Sequence, residues 1–263
     1  MSSQSVDFHF ARLHRGDKFE MALSRHKHYL FGKLGLKPGM RVLEVGCRSG
    51  KAALELFRFA GVNVVGIDND LVKAWNLEQL SAYFSTASFD AVFSIEALRD
   101  LPSLESTFGQ LHSLLRPGGK LAVYEWCWTE ALDPLNYDHQ RLVEALQTAA
   151  VIGHRQVLQR SLKAATHALE LAHFQAEECV DRSLTSSTSN IIEWYAPLET
   201  ALGNSQVKWA SAEQPSRLFG GITKEAATAL VYAGRYGLFT PMAMLVGKRS
   251  NLISYTMIQN RIR

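Results

Sequence analysis

The sequence predicts an α/β protein whose core is a parallel sheet with crossover helices. Apolar runs alternate with helical patterns between Met40 and Trp126, and this alternation is typical of parallel strands joined by helices. The first apolar run, RVLEV, leads through a glycine-containing turn into a helical pattern. With 263 residues, the chain is long enough to bury a substantial core.

The elements of this fold follow one another along the chain. Strands are predicted at 41–45, 62–67, 90–95 and 120–126, and helices at 51–60 and 104–115. The sequence RPGG at 116–119 predicts a sharp turn that ends the second of these helices. Beyond Pro134 the pattern is mostly helical, with helices predicted at 139–152, 157–173, 191–202 and 224–236 and strands at 174–181 and 239–246.

Composition excludes several classes of function. The formal net charge of +3 is too small and too dispersed for a nucleic-acid-binding protein. No window approaches eighteen consecutive apolar residues, and the first residues do not resemble a signal peptide. The three cysteines lie far apart and form no metal-binding pattern with the histidines. We expect a cytoplasmic protein with no metal and no membrane span, and leave loose membrane-surface contact and homo-oligomerisation open.

Six sequence blocks resemble the sterol C-24 methyltransferases, in the same order as in that family. They are FHFARLHRGDKFEMALSRHKHYL, RVLEVGC, FDAVFSIEAL, LRPGGKLAVYEW, EWYAPLE and GLFTPMAMLVGK. The resemblance covers most of the chain, from Phe8 to Lys248, and implies a Rossmann-like class I methyltransferase fold with a C-terminal substrate-binding cap. In that family S-adenosylmethionine alkylates a side-chain double bond of a flat, hydrophobic polycyclic substrate.

The resemblance divides the chain into four predicted parts. Residues 1–38 form an N-terminal helical segment that binds substrate, and residues 39–134 form a Rossmann-like core with a shortened parallel sheet. Residues 135–248 form the sterol-methyltransferase-like cap and the final strand, and 249–263 form a tail.

The turn after the first strand departs from the family pattern. Glu44, Gly46 and Gly50 keep the places of an acidic and two glycine residues, but Arg48 replaces the central glycine. Glycine there permits positive φ angles and close approach of the backbone to a ligand. Arg48 is expected to occlude the cofactor or to point to solvent; the alternative is an ion pair with the carboxylate of the cofactor's methionine moiety.

The interval after the second strand is also too short. Eighteen residues, 71–88, separate Asp70 from Phe89, whereas a helix, an edge strand and a further crossover need roughly 25–29 residues. We therefore expect one unit of the sheet to be missing. Asp68, at the end of the second strand, is expected either to bind a ribose hydroxyl or to cap a helix.

Three further substitutions lie around the family's cofactor, and two of them are next to its methyl donor. The resemblance places Arg99 and Asp100 where the family has a Cys-His pair, and Lys27 where it usually has glutamate. Since the changes cluster around the cofactor, we expect no cofactor to bind. The alternative is a compact S-adenosylmethionine site, in which the cofactor-binding residues are Glu44, Gly46, Arg48, Gly50 and Asp68.

Four side chains are candidate catalytic groups. Glu96 and Glu125 are predicted at the carboxyl ends of neighbouring strands, at the edge where open parallel sheets bind ligands. Two carboxylates there are suited to acid–base catalysis or to stabilising a cation, although helix capping explains them equally well. His26 and His28 lie on the N-terminal helical segment and can hydrogen-bond a substrate oxygen, but a packing role is the more frequent one for such histidines.

The substrate pocket is predicted to be lipophilic. Aromatic faces suit flat hydrocarbon skeletons and stabilise carbocations, although each aromatic residue alone is equally consistent with ordinary core. The candidate substrate-binding residues are Phe8, Phe10, Arg99, Asp100, Trp126, Trp128, Trp194 and Tyr195.

Three functions are consistent with these observations. The preferred one is a methyltransferase-fold enzyme that has lost methyl transfer and cyclises or isomerises a terpenoid or similar polycyclic intermediate. A shape-matched pocket accelerates such a reaction, for example an intramolecular cycloaddition, by holding a reactive conformer. The alternatives are an S-adenosylmethionine-dependent C-methyltransferase acting on a sterol or terpenoid, and a non-catalytic lipid carrier or regulatory partner.

Overall fold

The computed structural model describes residues 9–67, 80–98, 101, 103–149, 160–184, 190–209 and 222–251. Its helices are α1 (Phe19–Lys33), α2 (Lys51–Ala60), α3 (Leu80–Tyr83), α4 (Leu104–Leu114), α5 (Tyr137–Thr148), α6 (Leu162–Leu171), α7 (Ala196–Leu202) and α8 (Lys224–Arg235). Its strands are β1 (Leu13–His14), β2 (Arg41–Val45), β3 (Asn63–Ile67), β4 (Phe89–Ile95), β5 (Leu115–Trp128), β6 (Phe174–Asp181), β7 (Ile191–Ile192) and β8 (Phe239–Arg249).

Six strands form one mixed sheet in the order β3-β2-β4-β5-β8-β6. The first four strands are parallel, and β8 runs antiparallel to both of its neighbours. Val45 pairs with Ile67 of β3 and with Ser94 of β4, so the carboxyl ends of these three strands lie side by side. Open parallel sheets bind their ligands at this edge.

The strand β2 is buried because helices cover both faces of the sheet. Val42 and Leu43 are fully buried, and they belong to hydrophobic clusters on opposite faces. This follows from the alternation of side chains along a strand. A strand buried on both sides reads as a largely apolar run, and in RVLEV the apolar residues are interrupted only by Glu44 after the initial Arg41.

Several helices begin at side chains that cap them. The hydroxyl of Ser103 accepts a hydrogen bond from Ser106 N at 3.2 Å, and Asn136, Ser161 and Thr223 make equivalent contacts at α5, α6 and α8. Such caps satisfy amides that the first helical turn leaves unpaired. The predicted starts of α4 and α8 are the observed ones, that of α5 is two residues late and that of α6 is five residues early.

Two sequence predictions about elements are wrong. The helix before RPGG ends at Leu114, one residue before its predicted end, but RPGG itself lies within β5 and not in a turn. There the pairs Phe89–Leu115 and Ala91–Lys120 enclose a bulge with positive φ at Gly118. The segment 191–202 is not one helix, because its first two residues form β7, which pairs with β1.

Of the interval between β3 and β4, the structure describes 80–88 only, so the missing unit stays a prediction. No helix in the described ranges is long and apolar enough to cross a bilayer.

Candidate functional site

The turn between β2 and α2 keeps the backbone shape of a glycine-rich loop. The φ angles of Gly46, Arg48 and Gly50 are +85°, +42° and +73°. Positive φ is ordinary for glycine and unfavourable for arginine. The turn therefore retains the left-handed conformation at position 48 although the side chain has changed.

The turn is fixed by the end of β3. The amides of Gly46 and Cys47 both donate to the carbonyl oxygen of Ile67, at 2.8 and 3.0 Å. A Cβ atom on Gly66 would lie 2.7 Å from the Cβ atom of Cys47, so only glycine fits at that position. These contacts hold the turn close to the adjacent strand and leave its outer side facing a cavity.

A cavity of about 360 Å³ lies between this turn and α1. The turn, the ends of β2 and β4 and the first turn of α2 form one wall, through Glu44, Gly46, Cys47, Arg48, Lys51, Ala52 and Ile95. Residues of α1 with His9 form the other wall, through Phe19, Glu20, Leu23, Ser24 and Lys27. The volume lies within the range of small-molecule sites in proteins. Arg48 lines this cavity and leaves space beside it.

An ion-pair cluster joins α1 to α2 at the edge of the cavity. Lys27 pairs with Glu55, whose other carboxylate oxygen lies 3.0 Å from Nε2 of His28. The imidazole of His28 also packs on Phe59, with ring centroids 4.7 Å apart. His28 thus lies at the contact between the two helices, and this placement favours its packing role.

His26 lies in a buried stack of three rings. Its ring is 3.8 Å from that of Tyr124 and 5.9 Å from that of His9, centroid to centroid. Burial, and then the nearby charges of Lys27 and Arg48, lower the pKa of His9 to about 4. Burial also places the pKa of His26 well below its usual value. Both imidazoles are therefore neutral at pH 7.

Glu96 and Glu125 are both buried. Glu96 directly follows β4, whereas Glu125 lies within β5, just past the last β4–β5 pair, Ile95–Tyr124. Oε1 of Glu96 accepts a hydrogen bond from the amide of Phe10 at 2.8 Å. Oε2 of Glu125 accepts one from the amide of Leu98 at 2.7 Å, and Oε1 accepts one from Trp126 N at 2.9 Å. The two carboxylates thus anchor the N-terminal segment and the loop after β4, while a catalytic role for them stays a prediction.

The predicted aromatic residues form one cluster in the C-terminal half of the fold. Phe10 lies 5.6 Å from Trp126 and 5.1 Å from Trp194, centroid to centroid. Phe239 contacts the rings of Trp126, Trp128 and Trp194, and Tyr195 contacts Trp194 edge-on. Most of these rings are almost fully buried, so in this structure they form core.

Four predicted site residues, Phe8, Asp68, Arg99 and Asp100, lie outside the described residues. Sequence reasoning also missed part of the site. His9 lies between the two phenylalanines of FHF, but no neighbouring residue indicates that its ring packs against α1. The wall contributed by α1 depends on tertiary packing against the turn, and the spacing of its residues does not reveal which face is covered.

Comparisons with known proteins agree on one family. A methyltransferase domain matches residues 16–175, and a sterol methyltransferase C-terminal domain matches residues 217–250. The sterol 24-C-methyltransferase of Aspergillus fumigatus is 31% identical over 292 aligned positions, covering 93% of this chain and 74% of that protein. The aligned stretch is longer than the chain, so the relative has residues that this chain lacks.

Solved structures share the fold at low sequence identity. A cyclopropane synthase of Mycobacterium tuberculosis superposes with a TM-score of 0.65 and 18% identity, covering 92% of this chain and 89% of the other. A geranyl diphosphate methyltransferase in complex with S-adenosylmethionine superposes with a TM-score of 0.67 and 14% identity, covering 94% and 100%. These likenesses confirm the predicted class I methyltransferase fold.

The comparisons overturn two sequence-based expectations. The preferred function, a cyclase or isomerase that has lost methyl transfer, is wrong, because the relatives over most of the chain are C-methyltransferases. The expectation that no cofactor binds is wrong for the same reason, and the cavity beside Arg48 removes its physical basis. That expectation assumed that Arg48 fills the space of the cofactor, whereas Arg48 lines one wall of a cavity of about 360 Å³.

Three observations agree on the family. The turn after β2 keeps positive φ angles at positions 46, 48 and 50, the methyltransferase domain and the sterol methyltransferase C-terminal domain match in that order, and the Aspergillus fumigatus relative is 31% identical over 93% of the chain. This chain belongs to the sterol methyltransferase family of class I methyltransferases.

Proposed function

We propose that the chain is an S-adenosylmethionine-dependent C-methyltransferase that acts on a hydrophobic polycyclic substrate, a sterol or terpenoid. The observation that supports this most directly is the 360 Å³ cavity against a turn with three left-handed residues. The sterol 24-C-methyltransferase relatives support the reaction class and the lipophilic acceptor.

The residues around the cavity fit the cofactor. A Cβ atom on Gly50 would meet nothing within 4 Å, so the turn leaves open space at the start of α2. Helix N-termini and glycine turns present amides to anionic and polar ligand groups. Glu44, buried at the end of β2, supplies a carboxylate for hydroxyl groups, and Arg48 and Lys51 supply positive charge for a carboxylate.

Bound S-adenosylmethionine supplies an electrophilic methyl group. The chain's own residues orient the cofactor and keep water out. The helix α1 covers the cavity and is held to α2 by Lys27 and Glu55. His9 closes one side with a neutral ring, which adds no charge next to the cofactor. Exclusion of water strengthens electrostatic interactions inside such a site.

The acceptor is proposed to bind beside the aromatic cluster. Phe10 connects this cluster to the sheet edge, since its amide donates to Glu96 and its ring contacts Trp126 and Trp194. Aromatic faces match flat hydrocarbons and stabilise cations formed on alkylation of a double bond. We retain the four predicted parts of the chain, with 1–38 and 135–248 enclosing the acceptor.

A labelled-methyl assay tests the proposed function. The full chain is incubated with methyl-labelled S-adenosylmethionine and a panel of sterols and terpenoids that carry a side-chain double bond. We expect label on a carbon atom of at least one acceptor, and none when either component is left out. Conversion of an acceptor to an unlabelled isomer, at the same rate without S-adenosylmethionine, would contradict the proposal.

A further inference from the structure

A second, smaller cavity lies on the other side of the stacked histidines. Its volume is about 130 Å³, and its walls include Arg12, Arg25, Arg182, His26, Tyr29 and Tyr124. These residues come from the segment at β1, from α1, from β5 and from the residue that follows β6. The rings of His9 and His26 stand between the two cavities, since His9 lines the larger one and His26 the smaller one.

The positive charge of this cavity is only partly balanced. Arg25 pairs with Asp17, with Nη2 and Oδ2 2.5 Å apart. Within the described ranges, Arg12 and Arg182 take part in no ion pair. The guanidinium of Arg182 lies 4.1 Å from the ring centroid of Tyr29. Burial, and next the charge of Arg182, lower the pKa of Arg12, so the two arginines repel each other across the cavity.

Two buried nitrogen atoms at this cavity lack an acceptor. Nε2 of His26 and Nε of Arg12 have no hydrogen-bond partner in the part of the chain that the structure describes. His26 is only 6% exposed, and its ring is fixed by the stack on Tyr124. Leaving a buried donor unsatisfied is costly, and such groups in folded proteins usually have a partner. Because both residues line the cavity, an acceptor bound there is placed to pair with Nε of Arg12 and with Nε2 of His26 in the tautomer that carries its proton on that atom.

We propose that this cavity is a binding site for a phosphate-class oxyanion, held by Arg12, Arg182 and Nε2 of His26. Three guanidinium groups and one carboxylate leave an excess of two positive charges, which matches a phosphate dianion. Arginine is the preferred partner of phosphate because its fork of donors matches the oxygen geometry. The cavity has room for one such group and is too small for a polycyclic ring system.

The anion has two sources with the same chemistry, a free phosphate ion or the phosphate head of an amphiphile. This anion site is independent of the proposed methyl transfer, because it lies in a different cavity and its test measures only the affinity for phosphate. Titration calorimetry of the full chain with inorganic phosphate and with dodecyl phosphate below its micelle concentration separates the sources. Chloride at equal ionic strength is the control.

We expect phosphate to bind the wild-type chain and to bind Arg12→Gln or Arg182→Gln roughly tenfold to a hundredfold more weakly, the usual effect of losing one charge-assisted hydrogen bond. Arg15→Gln, a change at an exposed arginine near Arg12, should leave the affinity unchanged. A clear preference for dodecyl phosphate identifies an amphiphile head, and equal affinity identifies the free anion; both support the site.

A second measurement uses the wild-type chain alone, in case either arginine variant fails to fold. In histidine-labelled protein, phosphate should shift the imidazole nitrogen resonances of His26 while those of the exposed His167 stay in place. Equal phosphate affinity in all arginine variants, or His26 resonances that do not respond to saturating phosphate, would overturn the proposal.

Discussion

Arg48 has a φ angle of +42° at a position where the family motif has glycine. An L-residue with a side chain is strained there, so the sequence alone suggests that the turn has changed shape or function. The structure shows a different solution, because the backbone keeps the left-handed turn and the side chain lines the cavity. Strain kept at this position is consistent with a role for the guanidinium group in binding.

Two substitutions separate the strain of Arg48 from its charge. Arg48→Gly and Arg48→Ala both remove the guanidinium, but only glycine relieves the positive φ. We expect the glycine variant to be about 1 kcal/mol more stable than the alanine variant in urea unfolding. Both should bind S-adenosylmethionine roughly tenfold more weakly than the wild type. Tighter binding in both variants would restore the idea that Arg48 occludes the site.

The neutral ring of His9 makes the fold sensitive to acid. Its pKa is lowered from 6.5 to about 4 by burial, so between these values the unfolded chain takes up a proton that the folded chain does not. The stabilisation is complete above pH 6.5 and is lost as the pH falls towards 4. Between pH 7 and pH 5 we expect His9→Gln to lose about 2 kcal/mol less unfolding free energy than the wild type. Equal losses in urea titrations of both proteins would contradict this assignment.

The helices and strands whose bounds the sequence predicts are those determined by residues within or next to the element. The strand β2 and the helix α2 were predicted with their observed bounds, since RVLEV is a buried apolar run and glycines bracket the helix. The strands β1 and β7 were missed because Leu13 pairs with Ile192 across most of the chain. No local pattern indicates a pairing of that range, and the cavity wall built from α1 was missed for the same reason.

Two helical glycines allow a matched test of packing between elements. A Cβ atom on Gly234 in α8 would lie 2.9 Å from Trp194 Cζ2 and from Tyr195 Cγ, whereas one on Gly109 in α4 would meet nothing within 4 Å. We expect Gly234→Ala to destabilise the fold by about 1–3 kcal/mol through overpacking. Gly109→Ala should stabilise it by about 0.5–1 kcal/mol, the gain in helix propensity. Two changes of the same sign in thermal unfolding would count against this packing.

The chain as a whole keeps the fold of its family with fewer residues in the aligned region than its Aspergillus fumigatus relative. The described sheet has six strands with β3 at its edge, and the aligned relative has residues that this chain lacks. The short interval after β3 leads, from the sequence alone, to the expectation that no cofactor binds. That expectation is wrong because the number of residues in one interval does not show how much of the binding site other elements supply. In the structure, α1 and His9 supply half of the cavity wall.

The most direct test of methyl-donor binding is a calorimetric titration with S-adenosylhomocysteine. We expect one molecule to bind per wild-type chain with micromolar affinity. Glu44→Gln should weaken binding roughly tenfold or more, because the amide cannot replace a charge-assisted hydrogen bond. A wild-type chain that is folded and shows no binding heat at millimolar ligand would contradict the cofactor site and the function built on it.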